Sequence, residues 1–84
     1  MDYVEYIHEH DKLQIEISQK IIDDAKREIP KMIDHCYNNK HDHKISEICI
    51  GLLSVRFDSI KCHQKIIDEK IHCAKVTMIR DLFN

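Results

Sequence analysis

Residues 44 to 83 read KISEICIGLLSVRFDSIKCHQKIIDEKIHCAKVTMIRDLF, forty residues with no proline and a single glycine, Gly51. Apolar residues recur through this stretch at helical spacing. Projected at 100° per residue, Ile48, Val55, Cys62, Ile66 and Cys73 form one flank of an apolar arc, and Cys49, Leu53, Ile60, Ile67, Ile71, Ala74 and Met78 form the other. The two flanks span roughly half the circumference, wider than the ~100° stripe that one neighbouring helix covers. Between them runs a polar ridge spaced by sevens: Arg56, His63, Lys70 and Thr77. Two apolar seams predict more than one neighbouring helix. Either the chain breaks near Gly51–Ser54 and Pro30 and folds back as a compact bundle, or two hairpins dimerise into four helices. Gly51 alone is a weak breaker, which favours the dimer.

Upstream, Asp2 and Glu5 read as a capping pair for a first helix, with carboxylates at its positive end. Val4, Ile7, Ile15, Ile22, Ala25, Ile29, Ile33 and Cys36 then share one side at 3.6 residues per turn, while Leu13 and Ile17 fall outside that stripe. Pro30 disfavours helix at Ile29 and removes a donor, so the first helix is expected to kink or restart there. The segment Cys36–Lys44 is the one clear connection: Asn38 and Asn39 suit a helix stop because Asn tolerates the left-handed conformation, and Asp42 suits the next cap. So short a connection makes antiparallel neighbours. The expected fold is therefore all-α, a long antiparallel helical hairpin over about 2–38 and 44–83. Residues 1–84 form a single helical domain that completes a coiled-coil-like helical bundle by dimerisation. A short internal similarity, Gln19–Asp23 against Gln64–Asp68, is a weak hint of duplication.

With the turn centred near residue 40, Lys70 falls near Asp11 and His63 near Ser18, with Gln14 between. Charges on a largely apolar face need partners, so Asp11, Gln14, Ser18, Arg56, His63 and Lys70 are predicted to form a polar layer that fixes the register. The competing reading has the long basic side chains reach past the apolar surface to water.

One glycine and one proline leave little material for strands and tight turns, and a net charge of −2 argues against a protein that neutralises nucleic-acid phosphates. No apolar run approaches a membrane span and no leader pattern is visible, so a reducing, cytoplasmic location and no membrane partner are expected. The cysteines, Cys36, Cys49, Cys62 and Cys73, lack the C-x2-C pairs of compact zinc sites and the repeated C-x9-C of coiled-coil-helix-coiled-coil-helix proteins. The same register sets no cysteine opposite another, so free buried thiols are expected. The turn cluster His35, Cys36, His41 and His43, beside Asp42, contains ligand types suited to zinc, the one candidate cofactor. The seven histidines could carry the net charge from −2 to about +5 on acidification.

Neither a glycine-rich phosphate loop nor a G-x-S-x-G or H-E-x-x-H motif occurs, so no enzyme is expected and no catalytic residue is nominated. The expected function is a non-enzymatic protein–protein interaction module, a homodimer, of the kind that regulates or inhibits a partner protein through a helix face. Leu13, Ile17, Ile50, Ile79, Leu82 and Phe83, which fall off the main stripes, are its candidate partner surface. The alternatives are a metal- or pH-responsive helical protein using the His and Cys clusters, and a dimeric helical nucleic-acid binder using the basic turn.

Overall fold

The computed structural model describes residues 2–84. A 3-10 turn, Tyr3–Tyr6, leads into α1, Glu9–Asn38, and a tight turn connects it to α2, His43–Phe83. The helices pack antiparallel along their length into a rod of 64 × 18 × 15 Å. Its radius of gyration, 18.5 Å, far exceeds the roughly 12 Å of a compact chain of this length.

Asp42 caps α2 as its position suggests: its carboxylate accepts from Lys44 N at 3.1 Å and Ile45 N at 3.2 Å. The end of α1 departs from expectation, because no described residue has positive φ. Instead the Asn39 backbone N–H and side-chain amide both donate to the His35 carbonyl, at 3.2 and 2.9 Å, ending the helix without a left-handed residue. Ser46 Oγ then donates to the Asn39 carbonyl at 3.2 Å and closes the turn.

One expectation needs correction, and two alternatives left open by the sequence are decided. The first helix does not begin at Asp2: that residue caps only the 3-10 turn, accepting from Val4 N at 3.3 Å. Ile7 and His8 are extended, with ψ of 122° and 149°, so α1 starts at Glu9. The extended pair lets the N-terminal turn lie back on the end of α2, where Lys75 Nζ sits 5.0 Å from the Tyr3 ring centroid. Tyr6 meets Asp81 there; burial first, then the Asp81 carboxylate, pushes its phenol pKa up. At Pro30 α1 does not restart; the helix runs through it. Likewise α2 runs unbroken through Gly51, so this chain does not fold back into a compact bundle.

A two-helix rod has a core one side chain deep. Ile22, Ala25, Cys49, Ile67 and Ala74 are its buried apolar residues, and Ser18 is buried with them. Ser18, Ala25 and Ala74 are small, which lets the two helix backbones approach closely.

Candidate interaction face

The two apolar seams of α2 have opposite fates. All seven residues of the flank Cys49, Leu53, Ile60, Ile67, Ile71, Ala74 and Met78 are buried or half-buried, so this flank is the one α1 covers. On the other flank Ile48 and Val55 remain 63% and 61% exposed, Cys62 and Cys73 are exposed, and only Ile66 is half-buried. Leu52, beside them, is 52% exposed. The open flank shares one side of the rod with residues of α1. Ile17 lines a groove of about 400 Å³ together with Gln14, Ser18, His63 and Ile66. Nearer the turn, Met32 and Leu52 line a smaller groove.

Along the border of this face, each member of the polar ridge is satisfied within its own hairpin. Lys70 Nζ lies 3.1 Å from Asp11 Oδ1, and Arg56 lies 3.5 Å from Glu28. Thr77 Oγ1 donates to the Cys73 carbonyl at 2.9 Å. His63 Nδ1 is 2.8 Å from the Ser59 carbonyl; a carbonyl can only accept, so Nδ1 carries the proton. The predicted polar layer is not one network. Asp11 and Lys70 cross the hairpin, but Gln14 pairs with His10 in its own helix at 3.2 Å, and Arg56 finds Glu28, which the sequence reading left out.

The register also differs near the turn. Asp11–Lys70 fits a turn centre close to residue 40, whereas Glu28–Arg56 is displaced by a few residues. That displacement brings Cys36 against Cys49, which corrects the expectation that no cysteine faces another. Burial, and then the Cys49 thiol beside it, push the Cys36 pKa up. The thiols are not uniformly buried either: Cys49 is buried, Cys36 half-buried, and Cys62 and Cys73 exposed.

The candidate zinc ligands are not gathered. His35 turns toward Asn39, His41 and His43 are exposed, and no group of three or more His, Cys, Asp or Glu side chains among the described residues is arranged to hold a metal ion. The six candidate surface residues Leu13, Ile17, Ile50, Ile79, Leu82 and Phe83 are all at least half exposed. They do not form one patch: Ile50 and Ile79 sit about 43 Å apart along α2, away from the groove that Ile17 lines. Sequence reasoning omitted Ile48, Leu52, Val55 and Phe57 from the exposed apolar set. For Ile48 and Val55 the signal was present, since both lie on a seam too wide for one neighbour to cover.

A surface depression of about 1,070 Å³ is lined by α2 alone, from Phe57 to Cys73. It is relief between side chains on one helix, not an enclosed cavity of the kind that captures a small molecule. No helix among the described residues is long and apolar enough to cross a membrane. The chain matches no known protein family, no curated protein and no solved structure.

Proposed function

We propose that this protein is a non-enzymatic helical interaction module that works by docking further helices against the open side of its hairpin. The carrying observation is that α1 covers only one of the two apolar seams of α2. Surface area supports the same reading. The chain exposes 6695 Å², against about 5,200 Å² for a compact monomer of its mass, 10.0 kDa. The excess, about 1,500 Å², exceeds the ~800 Å² that each partner loses in a standard protein–protein interface. A regulator or inhibitor that sequesters a helix of another protein would use such a face, as would an assembly subunit.

The test compares the wild-type chain with Val55→Glu, which places a charge in the middle of the open seam without touching the covered one. Sedimentation velocity of each, together with affinity capture from the native source, reads docking of either kind. The expected result is self-association or specific capture by the wild type, lost in the variant at unchanged helicity. A monomeric wild type that captures nothing beyond what Val55→Glu captures overturns the proposal.

A further inference from the structure

We infer that the occupant of this face is a second copy of the chain, with the two α2 helices antiparallel about a two-fold axis between Cys62 and Ile66. This rests on the docking reading above and names its partner. From Ile48 to Val76, alternating steps of four and three residues land on an apolar side chain everywhere except Ser59 and Glu69. That is the seam of a coiled coil, whose repeat of 3.5 residues keeps one stripe against a neighbouring helix.

The two polar interruptions decide the orientation. A parallel two-fold pair sets each seam residue against its own copy, which forces Glu69 against Glu69 in the middle of the contact. The antiparallel pairing sets Glu69 against Ser59 and leaves the other layers between Leu52 and Val76 apolar: Leu52 against Val76, Val55 against Cys73, and Cys62 against Ile66, with Ile48 meeting Arg80 at the rim. Sliding this arrangement by one heptad either way sets Glu69 against Leu52 or Ile66, burying a carboxylate on an apolar partner. The antiparallel register alone lets the seam's polar residues meet each other.

The flanks bring one complementary approach and two like-charged ones, whose charges are offset by carboxylates within each copy. On one side Asp58 comes beside His72 of the second copy, twice by symmetry, and Lys65 nears its own copy with Glu69 4.0 Å from its ammonium in the same helix. On the other side Arg56 and Lys70 would approach, and each already carries a carboxylate partner from α1. Ile17, which shares a groove with Ile66, lies close to the axis, so each α1 contributes to a four-helix core.

The decisive experiment uses the full chain with Val55→Cys in a Cys62→Ser background, oxidised by glutathione disulfide. Each protein disulfide then forms as two thiols give up their hydrogens and one glutathione disulfide becomes two glutathiones. Positions 55 and 73 lie about 27 Å apart along one helix, so a 55–73 link joins two copies. The expected product is a covalent dimer whose peptide map is dominated by the 55–73 link. Predominance of 55–55 and 73–73 links, or of no single pairing, overturns the antiparallel assignment. A second readout labels Cys73 with a nitroxide in the Cys62→Ser chain: the 73–73 separation is near 27 Å if antiparallel and under about 15 Å if parallel. A wild-type chain that stays monomeric at near-millimolar concentration overturns self-pairing altogether. If that monomer still captures a partner in a Val55→Glu-sensitive way, the docking function stands and only the identity of the occupant fails.

Discussion

Asp11 and Lys70 show how a single ion pair can set register without adding much stability. Their side chains are 23% and 33% exposed, so the attraction is screened and each long side chain loses freedom to make it. A double-mutant cycle with Asp11→Asn and Lys70→Met should return a coupling of about 0.5–1 kcal/mol that shrinks in high salt. The thiols make a sharper prediction. Thiolate is the reactive form, and Cys36 is held back from ionising by burial and by Cys49. In the Val55→Glu chain, iodoacetamide near neutral pH should modify Cys62 and Cys73 well before Cys36 and Cys49, read by mass mapping. In the wild type, at concentrations where copies pair, Cys62 and Cys73 should be slowed as well. The Asp11–Lys70 proximity could be read from spacing because both residues interrupt apolar stripes. The Cys36–Cys49 contact could not, because it depends on a displacement of a few residues that arises only as the helices pack.

Two residues of poor helix propensity lie inside the helices. Gly51 lies exposed in the first third of α2, and a methyl group there would meet nothing within 4 Å. Gly51→Ala should therefore stabilise the fold by about 0.5–1 kcal/mol, seen as a thermal midpoint higher by several degrees. Pro30 lies inside α1 and is exposed, so Pro30→Ala, which restores a backbone donor, should gain up to about 3 kcal/mol in urea denaturation. Both breakers were visible in the sequence, yet neither breaks its helix. Propensity is a local cost, and burial along a thirty- or forty-residue face outweighs it. The one real interruption, at Ile7 and His8, carries no glycine or proline signal. The contacts of Tyr3 and Tyr6 with Lys75 and Asp81, distant in sequence, accompany it.

The whole molecule is a rod whose core is too thin for its length. Its buried apolar residues are few, and much of one side is uncovered. If a second copy supplies the missing cover, stability follows mass action. The thermal midpoint of the wild type should rise as protein concentration goes from about 1 to 100 μM, whereas that of Val55→Glu should be lower and independent of concentration. Calorimetry or circular dichroism at several concentrations measures both.

The sequence by itself determined the elements: two long helices, a turn ending at the Asp42 cap, an antiparallel arrangement, and apolar residues in two seams on α2. These follow from periodicity, capping chemistry and connection length, all of which are local. Only the tertiary structure decided which seam α1 takes. Both seams are apolar, so hydrophobicity cannot choose between them. What fits is the seam beside which Arg56 and Lys70 are placed to reach Glu28 and Asp11. Such complementarity belongs to pairs of residues distant in the chain, and it leaves Ile48, Leu52 and Val55 facing outward.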